Sequence, residues 1–187
     1  MQQRVAELMA YLEETRARLV QTASAINPVF AVMKPRDNVW SAAQNMAHLA
    51  IVENGVAALV AKSVAWAKAN GIGPETSDKS MMASLDEFGI VDARFTRESP
   101  SGVSPDERPI ADSVSSLAAS RLRLKEALLD GDGLDLTRVT RSHPAMGDID
   151  LYQWVLFVGQ HEERHRRQIE RTLDEITELA AECAPIV

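Results

Sequence analysis

Three of the four histidines carry the residue types and spacing for chemistry. His161 and His165 stand four apart in LYQWVLFVGQHEERHRRQIERTLDEITELA, residues 151 to 180. A helix turns about 100° per residue, so these rings stack on one face about one turn from each other. Trp154 to His161 and Val158 to His165 are each seven apart. Both rings therefore continue the stripe begun by Leu151, Trp154, Val155 and Val158 and carried on by Ile169, Leu173 and Ile176. The third histidine, His48 in WSAAQNMAHLAIVENG, sits in another apolar stripe, one turn before Ile51 and Val52.

An imidazole inside a helical bundle loses hydration and needs a partner for each nitrogen, and a divalent cation is a strong one. A pair at i, i+4 shares one ion. A third ring from a facing helix completes a three-nitrogen face and leaves positions open, the pattern of catalytic rather than closed structural sites. Packing is the competing explanation: a lone buried histidine is usually a hydrogen-bonded core residue. Three of four histidines in core-facing stripes favour the ion, with His48, His161 and His165 as its ligands.

The segment HEERH, His161 to His165, also fits the zinc-protease pattern HExxH, in which the glutamate is a general base. Those enzymes take a third ligand downstream and hold peptide along a sheet edge. Here no sheet is expected, and the chain ends 22 residues after His165. Glu162 is instead expected on a solvated face with Glu163 and Arg166. Arg164, Arg166, Arg167 and Arg171 alternate with Glu162, Glu163 and Glu170 on that face. Glu53, five positions after His48, is a weak candidate base, and no other stands out. His143, before Pro144, reads as a turn residue, with a fourth ligand or substrate contact as the alternative. Met81, Met82, Trp40, Trp66 and Trp154 read as core fillers.

These residues need helices to position them. Val5, Leu8, Met9, Leu12, Leu19 and Ile26 recur at the helical period, so residues 2 to 26 form a first helix, ended by Asn27-Pro28. The stretch PVFAVMKPRDNV should be a connection covering one end of the core. Ser41 and Gln44 form a capping-box signature for a second helix running to about Asn70, with His48, Ile51, Val52, Gly55, Val56, Leu59 and Trp66 in its stripe. Residues 70 to 106 are irregular, with a short helical piece from about Lys79 to Phe88. So long a connection serves as a lid or crossover and lets neighbouring helices run parallel. A third helix spans Pro109 to Leu129 or Asp130 and stops at Gly131-Asp132-Gly133. Leu136 to Thr140 favours β structure, but one such segment makes no sheet. Asp148 or Asp150 caps the fourth helix, which reaches about Glu182. The expected fold is all-α: one domain, residues 1 to 187, a four-helix bundle with a long crossover connection.

Composition narrows the function classes. With 45% apolar and 25% charged residues, the 187-residue chain is globular and able to bury a core. A net charge of −7 argues against nucleic acid as partner. No apolar run reaches the roughly 18 to 20 residues of a bilayer span, and the N-terminus is unlike a secretory signal, so the expected location is cytoplasmic and not in a membrane. Cys183 is the only cysteine, which excludes an intramolecular disulfide. It should pack near the apolar end of the chain.

Taken together, WSAAQNMAHLA (Trp40 to Ala50), HPAMGDID (His143 to Asp150) and WVLFVGQHEERHRRQI (Trp154 to Ile169) resemble the DinB-like superfamily, which includes the YfiT-type proteins. The shared pattern is a Trp-Ser helix start with a histidine about eight residues on, then a late HxxxH followed by Gln. The resemblance implies a four-helix bundle that binds nickel, zinc or iron through His48, His161 and His165, and a homodimer. It also implies, for some members, a low-molecular-weight thiol as cosubstrate in S-transfer or isomerisation. Three neutral imidazoles leave an ion its full charge, which favours a deprotonated thiol or water. The expected activity is metal-dependent attack of a thiol or water on a small electrophile, of the S-transferase or hydrolase type. The alternative is a non-catalytic metal-binding or stress-response interaction module. Because the ligands must be neutral, metal affinity should fall below about pH 6.5.

Overall fold

The structure is a computed structural model, described for residues 1 to 92 and 103 to 182. Four long helices carry it: α1 (Gln3–Ser24), α3 (Ala42–Ala69), α4 (Ile110–Asp130) and α5 (Leu151–Glu182), with a one-turn helix α2 (Pro28–Ala31) between the first two. Their ends follow local chemistry. The Asn27 side chain accepts the Val29 N–H and starts α2 at a proline in its first turn. Ser41 Oγ accepts the Gln44 N–H at 3.1 Å while Gln44 Oε1 accepts the Ser41 N–H at 3.1 Å, the reciprocal box expected for α3. Asp150 and Gln153 make the same exchange at the start of α5, at 2.9 and 3.0 Å.

Side-chain pairs give the directions. Arg121 meets Glu53 while Asp130 meets Lys68, so α3 and α4 run parallel. Arg4 lies over Tyr152 and Thr15 bonds Glu162, so α1 and α5 also run parallel. Asn45 meets His165 and His48 meets His161, so α3 and α5 are antiparallel. The long connection before α4 is thus the crossover that parallel neighbours require. The expected helical piece at 79 to 88 is reduced to one 3-10 turn, Asp86–Phe88.

The apolar core lies in two parts with a charged layer between them. One part contains Leu8, Leu12, Val60, Leu124, Leu128 and Leu156. The other contains Leu19, Met46, Leu49, Leu117 and Ile169. Along every long helix the residues that separate the two are polar: Thr15 and Arg16, Glu53, Arg121, and Glu162.

Two expectations are corrected. A β-hairpin is present: β1 (Thr140–His143) pairs antiparallel with β2 (Gly147–Asp150), His143 opposite Gly147, and Leu136–Arg138 forms a 3-10 turn instead of strand. Only Ile149 of β2 is buried, so the second strand carries almost no hydrophobic signal. Gly147 supplies the positive φ of 72° that the tight connection uses. In addition, α3 is long and apolar enough, by length and composition, to cross a membrane. Searching for unbroken apolar runs misses it because His48, Glu53, Asn54 and Lys62 interrupt the run. In the fold this helix packs on α4 and α5 and buries Asn45, His48, Glu53 and Ser63.

Candidate metal centre

His48 lies in the second turn of α3, and His161 and His165 lie mid-way along α5. The antiparallel packing of these helices brings the three rings together, with centroids 5.2 Å (48–161), 4.9 Å (48–165) and 4.5 Å (161–165) apart. One ligand-capable nitrogen from each lies within 4.8 Å of the others. All three are buried, at 5%, 9% and 5% exposure. Trp40, half-buried just before α3, sits 4.9 Å from the His48 ring, and Phe157 stacks on His161 at 5.0 Å. Trp40 therefore acts as a wall of the site rather than as a filler of the core, and Phe157 is both core and wall.

The hydrogen bonds fix which nitrogens are protonated. His48 Nδ1 lies 2.8 Å from the Val103 carbonyl, which only accepts, so Nδ1 carries the proton and Nε2 keeps its lone pair. Asn45 Nδ2 donates to the carbonyls of Ser41 at 2.9 Å and Trp40 at 3.4 Å, which turns Oδ1 toward His165. His165 Nδ1 therefore donates to Asn45 at 2.8 Å and its Nε2 is an acceptor. That nitrogen stands 3.1 Å from His161 Nε2. Two nitrogens bound to one ion at about 2.0 to 2.1 Å are roughly 2.9 to 3.4 Å apart in octahedral or tetrahedral geometry. The donor set thus fits a divalent cation: neutral imidazoles, the outer nitrogens of His48 and His165 tied off, inner ones convergent.

Burial keeps these rings neutral. It holds His161 and His165 well below the ordinary histidine range, and the neighbouring histidine positions lower them further. His48 is lowered by burial too, although its bond to Val103 partly opposes this.

Glu162 is not solvated, as the charge alternation suggested, but 1% exposed. Its Oε1 accepts from Arg16 at 2.6 Å and its Oε2 from Arg121 at 2.9 Å and Thr15 at 2.7 Å. Glu53 is held by the same two guanidiniums, at 2.5 Å from Arg16 and 2.8 Å from Arg121. Its carboxylate is engaged on both oxygens, which removes it as a free base. A chamber of about 10 Å³, room for one water, separates these two carboxylates from His161. Glu163 is buried as well; burial opposes its ionisation, but hydrogen bonds from Arg166 and Arg167 bring it down to about 2.

His143 ends β1, and its Nδ1 accepts the Ala145 N–H at 3.1 Å, as a turn residue. It is not one of the three convergent rings. Its imidazole packs on Phe157 at 4.7 Å and lines the cleft that opens beside the triad. That cleft measures about 1230 Å³, and Ile51, Val52, Gly55 and Leu59 form one side of it. Those positions, expected in the core stripe of α3, are cleft wall, whereas Leu49, Ala50, Val60 and Val64 fill the core. Trp66 is exposed and lies against Arg141. Cys183 and the connection at 93 to 102 lie outside the described residues.

Sequence reasoning missed Asn45, Arg16 and Arg121. A signal existed for two of them. Arg121 falls in the apolar stripe of α4, four after Leu117 and three before Leu124, and Asn45 lies three before His48 on an otherwise alanine-rich face.

Known proteins agree with this architecture. The family model of the DinB superfamily matches residues 6–169. The crystal structure of TT2238, a four-helix bundle protein, superposes with a TM-score of 0.61 at 17% identity, covering 89% of this chain and 98% of that one. At that identity the likeness concerns the fold. No curated protein matches the chain.

Proposed function

The chain belongs to the DinB superfamily, and on that premise we propose that it binds one divalent metal ion through His48, His161 and His165. The ion would serve reaction of a thiol or water with a small electrophile in the adjoining cleft. The observation that carries this reading is the convergence of one nitrogen from each ring, with His165 Nε2 3.1 Å from His161 Nε2, at the wall of a 1230 Å³ cleft. An ion held there supplies Lewis acidity, favouring the deprotonated form of a thiol or water at neutral pH. The protein supplies the rest. Asn45 and the Val103 carbonyl orient two rings, while Trp40 and Phe157 limit water around them. Nickel, zinc and iron all suit three nitrogens, and a cytoplasmic setting would keep a small thiol reduced.

A second reading, an ion-binding module without turnover, is favoured by one feature: Glu53 and Glu162, the carboxylates that share a chamber with His161, are both consumed by Arg16 and Arg121. Metal content, metal affinity and thiol transfer to an electrophile panel, measured on the protein and on His161→Ala, separate the readings. Stoichiometric metal that His161→Ala loses, together with thiol- or water-dependent turnover, is expected. Metal without turnover would select the binding module. Absence of metal from protein made in metal-replete medium, with His161→Ala equally folded, would falsify the site.

The lowered proton affinity of the rings sets the pH behaviour. In the metal-free fold they stay neutral, so the unfolded chain takes up protons first as pH falls below about 6.5, and stability is lost from there downward. Metal affinity competes only with protonation in the fold. It should hold through pH 6.5 and fall at lower pH, later than imidazoles of ordinary pKa would predict. Affinity unchanged down to pH 4 in protein that remains folded would rule out imidazole ligation.

A further inference from the structure

The cleft is amphipathic along its length, and the histidines stand where its character changes. On α5 the lining residues before His161 are Trp154 and Phe157, and those after His165 include Gln168 and Arg171. On α3 the order is reversed: Asn45 lies before His48, and Ile51, Val56 and Leu59 lie after it. Because the two helices are antiparallel, the polar halves coincide at one end and the apolar halves at the other. Each helix thus reports the same division independently. Phe88, Ile90 and Met146 extend the apolar end, and Arg36 and Asn38 extend the polar end, with Val39 and Trp40 between them and the triad.

The polar end is also cationic. Among the described residues its ionised lining groups are the guanidiniums of Arg36 and Arg171 against one carboxylate, Glu175, which Arg36 holds at 2.9 and 3.1 Å, and a third guanidinium, Arg164, lines the cleft at the level of the histidines. This local excess of positive charge lies on a chain of net charge −7. A concave site of such sign, beside low-dielectric walls, concentrates anions. At about 1.5 Å per residue, Arg171 lies roughly 10 Å along the axis beyond His165, and Trp154 lies roughly 10 Å before His161.

The geometry points to an amphipathic organic anion as the ligand of this cleft: a carboxylate at the Arg171 end, an alkyl or aryl group of about six to ten carbons at the Trp154 and Met146 end, and its reactive centre at the histidines. The assignment rests on this cleft being the substrate site of the proposed reaction, but it requires no particular reaction. It predicts discrimination by both charge and chain length. Burying a methylene favours binding by about fourfold when burial is complete, so octanoate should bind at least about tenfold tighter than butyrate. A cationic chain of equal length should be excluded.

Isothermal titration of octanoate, butyrate and octylammonium, each below its micellar concentration, tests this on metal-free and zinc-loaded protein. Octanoate is expected to bind about tenfold tighter than either of the others. Arg171→Glu, on an exposed position that leaves the fold intact, should reverse the octanoate and octylammonium order, and Arg171→Gln should bring the two closer together. The same preference in metal-free protein or in His161→Ala would support the inference even if the ion reading failed. Octylammonium binding as tightly as octanoate, no dependence on chain length, or octanoate binding that requires zinc and ignores Arg171→Glu would overturn it. In each of these cases stoichiometric zinc would leave the ion reading standing.

Discussion

Two buried polar clusters lie side by side in this bundle and differ in how completely they are closed. In the charged layer, two guanidiniums meet two carboxylates, and Thr15 and the carbonyls of Leu12 and Leu117 take up remaining donors and acceptors. It ties all four long helices together, and its formal charges cancel. The histidine cluster draws on α3 and α5; the outer nitrogens of His48 and His165 are bonded, and the inner nitrogens of His161 and His165 have only each other at 3.1 Å. A buried polar cluster whose inner groups bond only to one another, at the wall of a cleft, is able to take a partner from outside the chain. A closed one implies a role in the fold.

Breaking the closed cluster should therefore have the largest effect on stability. Arg121→Met removes the guanidinium that Glu53 and Glu162 share, leaving two carboxylates at 3% and 1% exposure with Arg16 alone. Removing one partner from a buried ion pair typically costs about 3 to 5 kcal/mol. Urea unfolding of the metal-free protein should show a loss in that range. A loss below about 1 kcal/mol would mean that the layer is hydrated in solution and that the contrast between the clusters is only apparent.

The open cluster should respond in affinity instead. Asn45→Ala removes the acceptor that fixes the His165 tautomer, and loss of such an orienting bond lowers metal affinity by about 10- to 100-fold. Asn45→Asp keeps an acceptor on Nδ1 and should recover most of it. Competition against a chelator measures both. Equal affinity in Asn45→Ala and the parent protein would detach Asn45 from the site and leave the ring orientation to packing alone.

What the sequence disclosed follows the range of the forces involved. The helices were legible because their signals are local: the period of Val5, Leu8 and Leu12, the Ser41 and Gln44 box, the stop at Gly131. The triad was legible because two members are one turn apart and the third shares their unusual place in an apolar stripe. The charged layer was hidden, since Glu162 next to Glu163 and Arg166 looks like any solvated run until Arg16 and Arg121 arrive from other helices. The hairpin was hidden because its pairing depends on a turn and one buried isoleucine rather than on alternating hydrophobicity. Cleft wall and core were confused on α3 because both are apolar, and only the neighbours across the gap distinguish Ile51 from Leu49.

The smallest effect belongs to a residue that starts α3, the helix contributing to both clusters, but is part of neither. Ser41→Ala removes the hydroxyl that accepts the Gln44 N–H and should cost about 1 kcal/mol of stability, the usual value of an N-cap. Metal affinity should change by less than about threefold. The link from Ser41 to the triad runs through its backbone carbonyl, which holds the Asn45 amide at 2.9 Å and survives the substitution. Unfolding and chelator competition on the same variant test both halves of this expectation. A tenfold loss of affinity would show that the start of α3, and not the local bonding of each ring, sets the spacing of His48 from His161 and His165, and the division between fold-forming and ligand-facing clusters would then have to be redrawn at Ser41.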